Sequence, residues 1–374
     1  MSPFWLRRPF LILRDIFTRR ERPDLERLAR IDDPQAFVWA ILPHAARTFS
    51  ACIAMLPARS ALPAAVAYLY CRMLDTYEDL VPDSSARDAS LRAFSARLAG
   101  SENGSLPVAP AIEGATDRDE RDRAHLLLVR RAYLVDRVFL SFDEPTRAVV
   151  RDLVRDMAEG MRWSSVTFES QGGVLTGEDQ LAQYCRHVLG NPVVFGMRLL
   201  RMSHGTTPEL TPAEREDAMR VGEMVQLANV TRDVEKDLRR GIAYDASLRD
   251  DLGRDASNGD RALAERCRGV RERLLRMALT RAPSYGRIIQ ALHLRGWSVA
   301  RASGVLMLLF TERYYRGCAR RVGVPVWQGP TSTLSLLART FRSTFSQRSA
   351  DREIARVERA FLGAAGQGQA RIPT

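Results

Sequence analysis

Apolar residues recur at spacings of three and four along most of the chain from Pro34 onward. This period places them on one face of an α-helix. Alternating runs rich in Val, Ile and Thr, which are typical of strands, are scarce. The pattern therefore predicts an all-α protein, with helices at about residues 35–56, 61–80, 121–141, 145–162, 177–204, 212–237, 259–280 and 284–320.

Composition divides the chain into three segments. Residues 1–30 form a basic arm whose apolar positions have helical spacing, namely Leu6, Phe10, Leu13 and Phe17. Such a helix either lies in a membrane interface or packs its apolar stripe on the body of the protein, and both alternatives stay open. Residues 31–345 are predicted to form one all-α domain. Residues 346–374 are polar and then rich in Gly, Ala and Gln, so they are predicted to be a disordered tail.

The charge of the chain is unevenly distributed. The 374 residues carry a net charge of +11, but the excess lies in residues 1–30 and 295–374, whereas residues 31–294 are slightly acidic. A nucleic-acid-binding protein is expected to carry its basic residues as a stripe across the fold, so this class is excluded. The basic ends favour contact with an anionic membrane surface.

Three further features bear on where the protein acts. The five cysteines have no paired spacing, and no apolar run approaches the roughly 20 residues that span a bilayer. The N-terminus does not have the pattern of a secretory signal. We therefore expect a monomeric cytoplasmic protein, peripheral on the inner face of a membrane.

Two acidic motifs lie within otherwise apolar helical segments. In the first, Asp75, Glu78 and Asp79 share one helical face; in the second, Asp233 and Asp237 do so together with Asn229. Unpaired carboxylates are costly to bury, so cations must compensate them. Ion pairs with Arg72, Arg232 or Arg239 would suffice for one such helix. Two facing helices of this kind instead favour Mg²⁺, which binds through carboxylates and substrate phosphates.

Four sequence blocks resemble the squalene/phytoene synthase family, in the family's order over about residues 35–320. They are residues 46–50 (ARTFS), 68–79 (YLYCRMLDTYED), 184–190 (YCRHVLG) and 229–237 (NVTRDVEKD). The resemblance implies a single-domain isoprenoid synthase fold, with helices around a central cavity and the two aspartate-rich helices facing each other.

The resemblance also implies roles for individual residues. Mg²⁺ would be bound by the acidic residues Asp75, Glu78, Asp79, Asp233 and Asp237. The diphosphates of isoprenyl substrates would be held by Arg47, Thr48, Arg72, Arg232 and Asn229. Tyr68 and Tyr184 would line the cavity, and Tyr184 would steer or accept a proton; its alternative role is a packed core tyrosine.

The implied reaction is the Mg²⁺-dependent, head-to-head condensation of two farnesyl diphosphates through presqualene diphosphate. Hydride from NADPH would end it as squalene, and loss of a proton would end it as dehydrosqualene or, from longer substrates, phytoene. The D-T-x-E-D form of the first motif favours squalene synthase. A class I terpene cyclase and a non-catalytic membrane-associated family member are the remaining alternatives.

Two positions depart from the family pattern. Lys236 stands where an acid is usual in the second motif. The basic stretch that would contact NADPH is matched only loosely by Arg313 and Arg316.

Overall fold

A computed structural model describes residues 8–12, 14, 23–46, 48–100, 105–112, 119–256, 260–294, 296–330 and 332–366, apart from the side chains of Thr48 and Arg121. Within these ranges the chain is helical and has no strand; one isolated parallel bridge joins Val174 and Ala243. The predicted all-α fold is therefore confirmed.

The helices of the N-terminal half are α1 (Leu25–Ala29), α2 (Pro34–Ala46), α3 (Thr48–Ala54), α4 (Ala58–Leu80), α5 (Ser84–Arg97), α6 (Glu120–Arg130), α7 (Ala132–Leu140) and α8 (Glu144–Ser170). The sequence pattern did not predict α5. Its start is marked by Asp83, whose side chain accepts a hydrogen bond from the backbone N–H of Ala86.

The helices of the C-terminal half are α9 (Glu178–Cys185), α10 (Asn191–Ser203), α11 (Pro212–Arg239), α12 (Arg261–Leu279), α13 (Pro283–Ala291), α14 (Val299–Val322), α15 (Thr333–Phe345) and α16 (Gln347–Gly366). A π-helix, Arg186–Gly190, joins α9 to α10, and Ala246–Asp251 forms a 3₁₀-helix.

The chain forms two compact units. The first comprises Met1–Arg162 and Arg198–Pro208, and the second comprises Trp163–Met197 and Glu209–Thr374. The first acidic motif lies on α4 in the first unit, and the second lies on α11 in the second unit.

A buried polar cluster fixes α4 within the first unit. Asp136 on α7 accepts two hydrogen bonds from Arg97 on α5, at 2.8 and 3.0 Å, and one from the hydroxyl of Tyr70 on α4, at 2.8 Å. Removing one partner of such a buried ion pair leaves an uncompensated charge, which is strongly destabilising. The register of α4 against α5 and α7 is thereby restricted.

Of the basic arm, residues 8–12, 14 and 23–30 are described, and its other residues lie outside the described ranges. Leu11 is buried, and Arg8 and Arg14 donate hydrogen bonds to the carbonyls of Leu56 and Trp39, at 2.9 and 2.8 Å. These contacts favour the alternative in which the arm packs on the body of the protein. No helix in the described ranges combines the length and apolarity needed to cross a membrane.

The C-terminal region differs from the predicted disordered tail, because α16 extends to Gly366. Helix α16 buries a stripe at helical spacing that includes Ile354, Val357 and Phe361. On its polar side Arg356 forms two hydrogen bonds, at 2.6 and 2.7 Å, with Glu312, which is fully buried on α14. The prediction of a disordered tail relied on the polar composition of this segment. It did not take account of the narrow apolar stripe or of the buried ion pair.

We predict that Phe361→Ala destabilises the protein by about 3–5 kcal/mol, the usual cost of removing a buried aromatic side chain. Phe361 is fully buried, with its ring centroid 5.8 Å from that of Tyr315 and 5.2 Å from that of Trp327. Leu362→Ala, at the neighbouring 40% exposed position, is the matched control and should cost little. Chemical denaturation measures both; equal losses would contradict the docking of α16.

Candidate active site

The first candidate surface is a partly exposed stripe on α4. Most of this helix is buried, but Tyr68, Arg72, Asp75 and Glu78 are partly exposed and Asp79 is exposed. Their spacing places them along one side of the helix. The structure therefore brings together the predicted residues of this motif on one accessible surface of the first unit.

Arg72 is the central side chain of this stripe. Its guanidinium forms a 3.0 Å ion pair with Asp75 and donates a 3.3 Å hydrogen bond to the hydroxyl of Tyr68. Burial lowers the pKa of Arg72, but the Asp75 carboxylate and the Tyr68 hydroxyl outweigh this effect and raise it above its ordinary value. The Nε atom of Arg72 is buried without a hydrogen-bond partner among the described residues, so this cation retains capacity to bind an anion.

The second candidate surface is a stripe on α11, in the second unit. This helix begins with a capping box, in which Thr211 accepts from the backbone N–H of Glu214 and Glu214 accepts from that of Thr211. Towards its end, Asn229, Asp233 and Asp237 are partly exposed, whereas the residues between 221 and 227 are buried. The capping box fixes the residue at which α11 begins. The buried stretch fixes which face of α11 packs inward, and the acidic residues lie on an accessible face.

Arg232 pairs with its sequence neighbour Asp233 through two hydrogen bonds of 2.9 and 2.6 Å. The hydrogen bonds to this carboxylate raise the pKa of Arg232, against the opposing effect of burial. The other acid of the stretch, Glu235, pairs with Arg271 on α12, and Lys236 is exposed.

Both acidic motifs lie in the last turns of their helices. Asp79 is one residue before the end of α4, and Asp237 is two residues before the end of α11. A helix carries negative potential at its C-terminal end, where carboxylates are unfavourable and cations are favourable. A cation bound at either end would relieve this repulsion.

Tyr184 lies in an aromatic cluster beside the second motif. Its ring centroid is 6.2 Å from that of Phe168 and 5.3 Å from that of Tyr244, and the two tyrosine hydroxyls are 3.4 Å apart. The amide of Gln226 donates a 3.5 Å hydrogen bond to the Tyr184 hydroxyl and accepts a 3.0 Å hydrogen bond from Asn229. Tyr184 is thus linked to the acidic stripe of α11.

Sequence reasoning missed Tyr244 and Gln226. Tyr244 follows α11 in a short irregular segment, so no helical period marked it. Gln226 lies three residues before Asn229, one turn of the same helix away, and this spacing was the signal that could have identified it.

A close backbone approach holds Tyr184 against α11. Gly190 ends the π-helix, and Gly222 lies on α11; a Cβ atom at Gly222 would lie 2.3 Å from both the N and Cα atoms of Gly190. Two glycines therefore let the two backbones touch. The π-helix inserts an extra residue into this turn, a feature frequent at functional sites.

A buried charge network reinforces the same contact. Glu223 on α11 is almost fully buried and accepts a 2.6 Å hydrogen bond from Arg186 and a 2.7 Å hydrogen bond from Arg281. Arg186 also binds both carboxylate oxygens of Glu216, at 3.1 and 2.8 Å. Each oxygen of Glu223 thus has a cationic partner, which a buried carboxylate requires.

The two arginines predicted to contact NADPH have different environments. Arg313 is exposed and donates a 3.1 Å hydrogen bond to Thr333. Arg316 is buried and donates to the carbonyls of Trp327 and Pro330, at 3.1 and 2.9 Å. Arg316 therefore holds the segment between α14 and α15, and the pair does not form the phosphate-binding surface that the resemblance implied.

Two predicted diphosphate ligands cannot be placed. Arg47 and the side chain of Thr48 lie outside the described residues. Within the described ranges, no three His, Cys, Asp or Glu side chains are arranged so that they alone could hold a metal ion. Any Mg²⁺ bound by these motifs would need further ligands, and diphosphate oxygens are of the kind that Mg²⁺ prefers.

The structure resembles solved structures of a squalene synthase, TcSQS, in complex with the ligands BPH1237 and E5700. Both comparisons give a TM-score of 0.65 at 18% sequence identity; the first covers 92% of this chain and 93% of the other, and the second covers 90% and 99%. At this identity the likeness establishes the fold, an all-α fold shared with prenyl-condensing synthases.

The sequence comparison is more specific. Residues 42–314 match the family model described as squalene/phytoene synthase, and the chain belongs to this family. A curated relative, lycopaoctaene synthase from Botryococcus braunii, is 30% identical over 214 residues, which cover 56% of this chain and 43% of the relative. The matched region thus spans less than half the length of that relative.

We predict that Gly222→Ala destabilises the protein and displaces Tyr184, because the added methyl group meets the backbone of Gly190. Gly196→Ala on α10 is the matched control, since a Cβ atom there meets nothing within 4 Å. Removing a helix-interior glycine without a clash should stabilise by about 0.5–1 kcal/mol. Thermal denaturation compares the two variants; equal melting temperatures would contradict the close approach.

Proposed function

We propose that the protein catalyses the Mg²⁺-dependent, head-to-head condensation of two farnesyl diphosphates, through presqualene diphosphate, to squalene, with NADPH as the hydride donor. The observation that carries this proposal is the pairing of carboxylates with arginines on the accessible stripes of α4 and α11. Each stripe offers hard oxygen ligands for a cation beside a guanidinium suited to phosphate.

The donor set fits Mg²⁺. Asp75, Glu78 and Asp79 on α4, and Asp233 and Asp237 on α11, are the proposed ligands, completed by diphosphate oxygens. When bound, the ion neutralises charge on the departing diphosphate. The negative end of each helix adds to the attraction for a cation bound at its own motif.

The arginines act on the diphosphates. Arg72 and Arg232 each contact a carboxylate of their own motif, and a planar guanidinium can exchange a carboxylate for phosphate oxygens of similar geometry. Arg72 is the stronger candidate, because its Nε atom is buried and unpartnered among the described residues. Asn229, held by Gln226 on the same helix as Arg232, supplies a neutral contact.

The aromatic cluster stabilises the cationic carbon skeleton. The ring faces of Phe168, Tyr184 and Tyr244 can stabilise the allylic cation left when the first diphosphate departs. The double bond of the second substrate attacks this cation, and ring closure to the cyclopropane releases a proton. The Tyr184 hydroxyl, supported by Tyr244 and Gln226, is the proposed group that steers or accepts this proton.

A second candidate is synthesis of dehydrosqualene or phytoene, which needs no hydride. The burial of Arg316 favours it, because a residue predicted to bind NADPH is occupied by protein carbonyls. The first candidate rests on the D-T-x-E-D form of the first motif. The hydride of the first candidate would come from NADPH; of the two residues predicted to hold this cofactor, Arg313 is exposed and Arg316 is buried.

A single assay separates these candidates. Purified protein is incubated with Mg²⁺ and either farnesyl or geranylgeranyl diphosphate, with and without NADPH, and the products are analysed by mass spectrometry. Squalene that appears only with NADPH supports the first candidate, and dehydrosqualene or phytoene formed without NADPH supports the second. A C15 hydrocarbon would indicate a terpene cyclase, and no product from either substrate would favour a non-catalytic family member.

We predict that Asp79→Asn lowers condensation activity about 100-fold or more, because a ligand for the charge-neutralising ion is lost. The same change should raise the free energy of unfolding by about 0.3–1 kcal/mol, since it removes a carboxylate from the negative end of α4. Asp233→Asn should lower activity similarly. Activity assays and chemical denaturation provide the two measurements.

Asp250→Asn is the matched control, because Asp250 is an exposed acid outside both motifs. A second readout does not depend on turnover: Mg²⁺ with inorganic diphosphate should raise the melting temperature of the parent and of Asp250→Asn, and less that of Asp79→Asn. Full activity and an unchanged thermal shift in Asp79→Asn would show that the metal assignment is wrong.

A further inference from the structure

An exposed aromatic patch lies on the second unit, on α15 and the segment before α14. Its members are Trp297, Leu334, Phe341 and Phe345, whose exposed fractions range from 55% for Phe345 to 78% for Leu334. Single exposed apolar residues are common, but contiguous exposed apolar residues mark interaction sites. We define these four residues as the aromatic patch.

The patch is contiguous. The ring of Phe345 stacks on that of Trp297 at a centroid distance of 5.7 Å and meets that of Phe341 edge to face at 4.9 Å. Helix α15 carries three of the four residues on its outer face, while its inner face buries Leu336 and Thr340. Helix α15 therefore carries apolar residues on both faces. Leu336 on the inner face is covered by described residues, whereas those on the outer face are exposed.

A buried arginine fixes this arrangement. Arg301 on α14 is fully buried and donates hydrogen bonds to the carbonyls of Ser343 and Thr344 at the end of α15, at 2.8 and 3.0 Å. The same guanidinium donates to the carbonyls of Leu294 and Gly296, at 2.9 and 2.7 Å. One side chain thus holds both the segment before Trp297 and the end of α15. It therefore fixes Trp297 and Phe345 next to each other.

The segments that carry the patch are basic. Residues 291–301 and 332–350 contain five arginines and no acidic residue, and the acids Asp351 and Glu353 follow directly. Of these arginines, Arg301 is buried and Arg339 pairs with Glu353. Arg342 and Arg348 are exposed, and neither forms an ion pair with a described residue. The patch therefore combines exposed Trp and Phe rings with uncompensated positive charge.

We propose that the aromatic patch docks the protein on the interfacial region of an anionic lipid bilayer. Tryptophan and phenylalanine insert at the level of the lipid headgroups, and arginines beside them contact lipid phosphates. A second copy of this chain is the less favourable occupant. A twofold interface on this patch would bring two basic segments together, and residues 291–301 and 332–350 contain no acid to pair with them.

The test uses the full chain without substrate, so its outcome is independent of the proposed catalytic function. Binding is measured by co-sedimentation with vesicles of phosphatidylglycerol and phosphatidylcholine, and with vesicles of phosphatidylcholine alone. We expect binding to the anionic vesicles that weakens with added salt. The double variant Phe341→Ser/Phe345→Ser should lower the partition coefficient about tenfold or more.

Two further variants separate the two contributions. Arg342→Gln/Arg348→Gln should weaken binding to the anionic vesicles and leave binding to phosphatidylcholine unchanged. Val108→Ser is the matched control, because Val108 is a 94% exposed apolar residue outside the patch. It should bind like the parent, and melting temperatures close to that of the parent show that the variants are folded.

Fluorescence quenching locates the contact. Brominated lipids in the anionic vesicles should quench the emission of the parent, and this quenching should be largely lost in Trp297→Phe. Quenching that persists in Trp297→Phe, or patch variants that bind as well as Val108→Ser, would overturn the proposal. So would a concentration-dependent dimer in sedimentation velocity that the Phe341/Phe345 variant abolishes while vesicle binding is unchanged, since the patch would then be an interface between copies.

Discussion

The placement of carboxylates at the negative ends of two helices is the constraint on which the functional surfaces depend. Asp79 and Asp237 lie within two residues of the ends of α4 and α11. There the helix potential and the neighbouring acids both oppose their charge, and only cations can offset this. Arg72 and Arg232 are the cations the chain itself supplies, and Mg²⁺ with diphosphate is the proposed alternative. An arrangement that costs stability without substrate is expected where binding a cation is the function.

Buried arginine pairs elsewhere keep these helices in place. Arg97 and Asp136 fix α4, and Arg186 and Glu223 fix the π-helix against α11. The same chemistry, an arginine facing a carboxylate, therefore has two uses that differ in the exposure of the carboxylate. Where the carboxylate is buried, as in Asp136 and Glu223, the pair is structural; where it is partly exposed, the arginine can exchange its partner for phosphate.

The helical fold was predictable because apolar residues at a period of 3.6 dictate it locally. The failures are instructive. Helix α5 is polar and buries few apolar residues, and α16 carries a narrow apolar stripe in a charged segment, so composition did not indicate either helix. The residues that form each acidic stripe were predictable, because all the residues of a stripe lie within one helix. Tyr244 was not, since it comes from a segment without a period and reaches Tyr184 across 60 residues of sequence.

The sequence by itself determined the all-α class, most of the helices and the residues of the acidic motifs, because each depends on spacing within a single element. It also indicated the family, through four blocks in the family's order. Only the tertiary structure decided which cations meet which acids and which residues are buried. It moved Arg316 from the predicted cofactor contacts to a structural role, and it gathered Trp297 with Phe341 and Phe345 into one exposed patch. These outcomes depend on contacts between elements distant in sequence, which local periodicity does not specify.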